Sequence, residues 1–268
     1  MFYEVPLEVP SHAETVSALV ALTPSESKRL LAKAVASMPE VRRAMYQGII
    51  IVAKGTTDAF VAEELLGSQF NKGEYTAGVV TGGAPRVNVA TLPKPYVLRK
   101  GKAEDISISE ALKEFGPEDV FIKGANAVDM AGNAGILVTS NVAGTIGAAL
   151  PVVTPRGSHL IMPVGLEKLI PSVPEAARKC GISRFKYATG SSPGMVPVVS
   201  GEVVTEVQAL AVLCRVRATH VASGGVGGSE GTVVLVLEGG DDSVQRAFAL
   251  VQSIKGEPRV EGPAQTRL

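Results

Sequence analysis

Lys123, Gly124, Asn126, Asp129 and Asn133 follow one another closely after the apolar run Val120-Phe121-Ile122. Residues just beyond a parallel strand's carboxyl end stand where open α/β sheets place ligands. A carboxylate there can carry a proton and an ammonium can stabilise an oxyanion, so Asp129 and Lys123 are the candidate catalytic pair. Asn126 and Asn133, with the backbone at Gly124, are candidate ligand-binding groups. The same spacing also reads as an Asx-rich turn that only caps the next element.

A second group, Gly55-Thr56-Thr57-Asp58, lies between the β-branched run Ile49-Ile50-Ile51-Val52 and an amphipathic helix carrying Phe60, Val61, Leu65 and Leu66. A strand that turns through Gly-Thr into a helix start presents unpaired N–H groups and hydroxyls, which suits a phosphate or carboxylate. The bland reading is an ordinary turn, with Thr57 or Asp58 as the helix cap. Arg156, after a strand expected at Val152-Val153-Thr154, is a further candidate for holding an anion, with His159 as an acid or base nearby. Thr81-Gly82-Gly83-Ala84-Pro85-Arg86 reads equally as an anion-binding turn or a solvent loop. The glycine-dense stretch 224–231 is not followed by a helical pattern and reads as a hairpin. Cys180 and Cys214 lack metal-type spacing and an activating partner, so both read as buried thiols.

These groups need elements to hold them. Ser11-His12-Ala13-Glu14 resembles a capping box for a helix running to about Leu22. Thr23-Pro24 and Pro39-Glu40 open two more helices. Strands are expected at Tyr96-Val97-Leu98-Arg99, around Val120-Phe121-Ile122 and at Leu160-Ile161-Met162, with helices from Ser107 and from Pro174. Small residues dominate positions 131–147, a pattern that allows close helix–sheet packing and also offers Ser140, Asn141 and Thr145 as a polar wall. From about residue 200 the order is β-α-β-β-α-β, ending in a strand near Pro258, the split βαβ arrangement of ferredoxin-like domains.

Composition bounds the function. With 268 residues, 46% hydrophobic, the chain is long enough for one large or two modest domains. Twenty-six basic and 26 acidic residues give no net charge, so nothing favours nucleic acid or an anionic membrane. No export signal and no 18-residue apolar run are found, so a cytoplasmic protein is expected. Nothing implies a metal or a tightly held organic cofactor, and homo-oligomerisation is left open.

Two stretches, IIIVAKGTTDAFVAEELLG and DVFIKGANAVD, together resemble the superfamily of ribose-5-phosphate isomerase, glucosamine-6-phosphate deaminase and the CoA transferases. The first is similar to the isomerase's strand, Gly-Thr-rich loop and helix, where the sugar phosphate sits. The second is similar to its strand followed by Gly-Ala-Asp-Glu. Here Asn126 stands in place of the Asp, Ala127 in place of the Glu, and Lys123 in place of another acid. Aldose–ketose isomerisation needs a carboxylate base, which Asn cannot supply. The resemblance therefore implies a fold and a ligand location rather than that reaction.

The resulting expectation is an α/β protein with two parts. Residues 1–195 would form a Rossmann-like, mostly parallel sheet of the isomerase/CoA-transferase type, and residues 196–268 a smaller ferredoxin-like domain. A cleft at the strand carboxyl ends would bind a small anionic metabolite, a phosphorylated sugar or nucleotide-like compound, and transform it if the protein is an enzyme. The rival expectation is a non-catalytic sensor or assembly protein on the same fold. A third, acyl-CoA transfer, requires Glu230 to face the larger domain as a nucleophile.

Overall fold

The computed structural model describes residues 1–7, 14–89, 94–264 and 266–267. Its first element is a strand, β1 (Val16–Leu22), where a helix was expected; Ser11, His12 and Ala13 lie outside the described residues. Val16, Ala18, Val20 and Leu22 turn inward while Ser17, Leu19 and Ala21 face out, a period of two that only a strand can satisfy. Then come α1 (Pro24–Ser37), α2 (Pro39–Gln47), β2 (Ile49–Val52), α3 (Thr56–Leu66), β3 (Gly78–Thr81), β4 (Ala84–Asn88), β5 (Tyr96–Arg99) and β6 (Lys102–Glu104). The middle of the chain gives α4 (Ile108–Glu114), β7 (Val120–Ile122), β8 (Ala127–Val128), β9 (Ala134–Val138), α5 (Gly144–Arg156) and β10 (His159–Pro163). The remainder gives α6 (Val173–Lys179), β11 (Gly194–Val198), β12 (Glu202–Val204), α7 (Glu206–Cys214), β13 (Arg217–Gly224), β14 (Thr232–Gly239), α8 (Asp241–Ser253) and β15 (Thr266–Arg267).

A mixed six-stranded sheet, ordered β12-β10-β7-β2-β5-β6, organises the molecule. Its first four strands are mutually parallel, and β5 and β6 continue it antiparallel. Every residue of β2 and β7 is buried, so both faces of the sheet must be covered. Ile50, Val52, Val120 and Ile122 pack with Leu30, Leu31 and Val35 of α1 and Phe60 and Val61 of α3. Ile49, Ile51 and Phe121 pack with Leu112 of α4 and Ile146, Ala149 and Val153 of α5. Each large side chain buried this way contributes roughly 1.5–3 kcal/mol.

Val152-Val153-Thr154 is helical rather than a strand. Ile146, Ala149 and Val153 form one buried stripe at helical spacing, and Gly157 ends α5 in the left-handed region with its N–H on Thr154 and Val153 carbonyls. The division at residue 195 does not separate the sheets. Strand β12 belongs to the six-stranded sheet, whereas β1 pairs with β14 to give the sheet β1-β14-β13. No strand forms near Pro258. The two ends of the chain are thus interleaved, with α1 packing between the large sheet and the small one. No described helix is long and apolar enough to cross a membrane.

Candidate functional site

The parallel strands β2, β7, β10 and β12 all point their carboxyl ends the same way, and each ends in polar residues: Lys54-Gly55, Lys123-Gly124, Gly165-Leu166-Glu167-Lys168 and Thr205-Glu206. Gly55, not Thr57 or Asp58, occupies the cap position of α3, and no side chain caps the helix. The first-turn amides of Thr56, Thr57 and Asp58 therefore have no intrahelical partner. The Gly55 N–H itself is engaged by the Tyr75 carbonyl at 2.9 Å.

Asp58 is completely buried. Its Oδ1 accepts the Gly124 N–H at 2.6 Å, and its Oδ2 lies 3.7 Å from Lys123 Nζ. A Cβ on Gly55 would come within 2.5 Å of that Oδ2, so the approach of this carboxylate favours glycine there, whereas one on Gly124 would meet Oδ1 only in ordinary contact at 3.4 Å. Burial pushes the Asp58 carboxyl upward, opposed by Lys123, the Gly124 N–H and Lys168. Lys123 also donates to the Lys54 carbonyl at 2.8 Å, and Lys168 to the Ala125 carbonyl at 3.0 Å. Burial lowers the Lys54 ammonium.

Beside this lies a group the sequence did not single out. Glu206 is fully buried at the start of α7, with Oε2 accepting the Leu166 N–H at 2.9 Å. Burial and the neighbouring Glu167 raise its carboxyl to about 7. A Cβ on Gly165 would overlap Glu167 Oε2 and stand 3.0 Å from Glu206 Oε1, so the two carboxyl groups converge on this glycine. Lys28, from the first turns of α1, reaches Glu167 Oε1 at 3.5 Å with only 12% of its side chain exposed. Burial lowers its ammonium; Glu167 opposes the shift and Lys168 adds to it. Ser27 Oγ, Asp58 Oδ2, Glu167 Oε2 and Glu206 Oε1 are buried without a hydrogen-bond partner, which marks an unsatisfied polar cluster. The glycine-rich β13–β14 hairpin adjoins it: a Cβ on Gly231 would contact Pro24 and Glu167.

The other expected residues divide. Asn126 is exposed, and its Oδ1 accepts the Leu137 N–H at 3.0 Å, bracing β9. Asp129 does not meet Lys123. Its carboxylate takes the N–H groups of Ala131, Asn133 and Val173 and the Asn133 side chain, all between 2.9 and 3.1 Å. Burial opposes, but these four donors together hold it below its ordinary value, as befits a turn organiser rather than a proton carrier. Arg156 is also structural: its Nη1 donates to the carbonyls of Leu112, Lys113 and Phe115 at 2.8–3.0 Å, closing the end of α4. His159 opens β10 at the amino-terminal end of the sheet, 2.9 Å from Glu202 and beside Glu40, not at the carboxyl ends. Glu230 is exposed and paired with Arg259 at 2.7 Å, so it does not face the cluster.

Two grooves, of about 420 Å³ between α1, α3 and the end of α8 and of about 310 Å³ beside Gly48 and Arg99, lie away from these strand ends. Signals for the missed residues were partly available. Glu167 and Lys168 follow an apolar run ending in Val164-Gly165, just as Lys123 and Gly124 follow theirs. Lys28 enters from a helix, and only tertiary packing reveals it. Comparison of the chain with protein-family models, curated proteins and solved structures finds no match.

Proposed function

We propose that the protein binds a small anionic metabolite, a phosphorylated sugar or nucleotide-like compound, at the carboxyl ends of β2, β7, β10 and β12, and acts on it chemically. The observation that carries this reading is the approach of Lys123 and Lys168 to Asp58 in the first turn of α3, with Lys28 nearby beside Glu167 and Lys168. Three ammonium groups and the free amides of Thr56, Thr57 and Asp58 suit an anion. Three buried carboxyl groups beside them, Asp58, Glu167 and Glu206, supply acid–base capacity that a simple sensor does not need. The sheet is read as Rossmann-like and the β1-β14-β13 sheet with α7 and α8 as its ferredoxin-like companion, both on analogy of layout.

Thermal unfolding of the purified protein with D-ribose 5-phosphate, AMP, acetyl-CoA or inorganic phosphate tests the reading. A ligand at a hundred times its Kd adds about 2.7 kcal/mol of stability. The midpoint is expected to rise with one of the first two and to stop responding in Lys123→Met/Lys168→Met, while Arg156→Ala responds as the parent does. A rise that survives the double lysine substitution would place the ligand elsewhere.

A further inference from the structure

Lys28 brings a nearly buried ammonium to the same strand ends. Its Nζ donates to the Pro24 carbonyl of its own helical turn at 3.0 Å, and its carboxylate neighbour Glu167 stands at 3.5 Å. Lys123 likewise donates to one carbonyl and approaches the fully buried Asp58. Lys28 also sits in the first turns of α1, where the helix dipole disfavours a positive charge. A desolvated lysine beside a second cation is the setting in which an amine becomes a nucleophile toward carbonyl carbon. Across from it, Glu206 Oε1 is buried and unpartnered, and Glu167 Oε2 likewise.

We propose that Lys28 forms an imine with a carbonyl-bearing anionic substrate, an aldehyde or ketone carrying a phosphate, with Glu206 as the acid that completes the step. This rests on the reading of the strand ends as an anion site and names the substrate class for it. The Lys28 amine attacks the carbonyl carbon: the C–N bond forms, the C–O π pair moves to oxygen, and a proton passes from nitrogen to oxygen to give the carbinolamine. The Glu206 carboxyl then gives its proton to that hydroxyl, which leaves as water. The products are a protonated imine on Lys28 and a Glu206 carboxylate, with Glu167 a second counter-charge beside the new cation. Burial raises the Glu206 carboxyl to about 7 and lowers the Lys28 ammonium, both in the direction the step needs.

The test is reductive trapping. Protein is incubated with D-glyceraldehyde 3-phosphate or D-ribose 5-phosphate, treated with sodium borohydride, and mapped by peptide mass spectrometry. The expected result is one reduced adduct on the peptide containing Lys28, absent in Lys28→Gln and unchanged in the surface control Lys113→Gln. Glu206→Gln should slow trapping by about 10²-fold, the usual worth of a positioned acid. D-ribitol 5-phosphate, which has no open-chain carbonyl, is run alongside in thermal unfolding. If it stabilises the protein while no Lys28 adduct forms, the imine is overturned and the anion site stands. If it has no effect and no adduct forms, both fall. Adducts scattered over exposed lysines in the parent protein would also overturn the proposal, and that outcome needs no variant to fold.

Discussion

Asp58 Oδ1 accepts the Gly124 N–H at 2.6 Å, a bond that joins the first turn of α3 to the end of β7 across 66 positions of sequence. It fixes where the helix start stands relative to Lys123. Replacing Asp58 with Ala would orphan the Gly124 amide and leave Lys123 without its counter-charge. A loss of about 2–4 kcal/mol is expected. Asp58→Asn keeps an acceptor for the amide and removes a buried charge, so it should cost clearly less. Urea unfolding of the two variants decides this. Equal losses would show that the charge, not the hydrogen bond, holds the turn.

The buried strand runs at Ile49-Ile50-Ile51-Val52 and Val120-Phe121-Ile122, the helices opened by Thr23-Pro24 and Pro39, and the α3 start at Gly55-Thr56 are legible because local pattern and tertiary burial agree there. Strand β1 was not, because its capping-box letters compete with a period-two pattern that is only half buried. Helix α5 was misread because two prolines, Pro151 and Pro155, sit inside it and mimic strand punctuation. Gly55, Thr56, Thr57, Asp58, Lys123 and Gly124 stand at the strand ends, where the strand-then-turn rule puts them. Asp129 and Asn133 satisfied the same rule while folding their polar groups back on each other. Lys28 and Glu206 lie in the opening turns of helices whose capping boxes, Thr23 with Glu26 and Thr205 with Gln208, account for the local sequence, so no one-dimensional pattern reveals their burial at the strand ends.

Glu206 gives stability a pH dependence of its own. Its ordinary value of 4.5 applies to the unfolded chain, and the folded carboxyl is raised to about 7 by burial and by Glu167. Between those values the folded state holds a proton the unfolded chain has released. This contribution to stability is therefore highest below pH 4.5 and declines as pH rises toward 7, by a sum on the order of 3 kcal/mol. Glu206→Gln should flatten that descent without changing the acid limb below pH 4. If the parent and the Gln variant fall in parallel over pH 5–7, Glu206 is not the group responsible.

Gly165 is constrained by side chains rather than by its own backbone. A methyl group there would overlap Glu167 Oε2 and crowd Glu206 Oε1, so Gly165→Ala must displace Glu167 or strain the end of β10. A cost of about 1–3 kcal/mol follows from overpacking. Pairing it with Glu167→Ala removes the obstructing carboxylate, so the double variant should lose less than the sum of the two single ones. Additive losses in a double-mutant cycle would show that the two residues do not meet.

Asp129 and Arg156 separate scaffold from site. Arg156→Ala leaves three carbonyls at the end of α4 without their donor and should cost about 1–2 kcal/mol, with ligand response intact. Asp129→Ala removes the acceptor for four donors around the β8–β9 turn and should cost about 2–4 kcal/mol. Because those donors hold the carboxylate below its ordinary 3.8, its contribution is present above that pH and is lost as pH falls through the lower folded value. Asp129→Asn should thus be less stable than the parent at pH 6, with the difference shrinking as pH falls below 3.8. Under saturating ligand, neither Arg156→Ala nor Asp129→Asn should abolish the thermal shift, whereas Lys123→Met/Lys168→Met should. Loss of the shift in Asp129→Asn with the fold intact would return that residue to the site and put the cluster around Lys28, Asp58 and Glu206 in doubt.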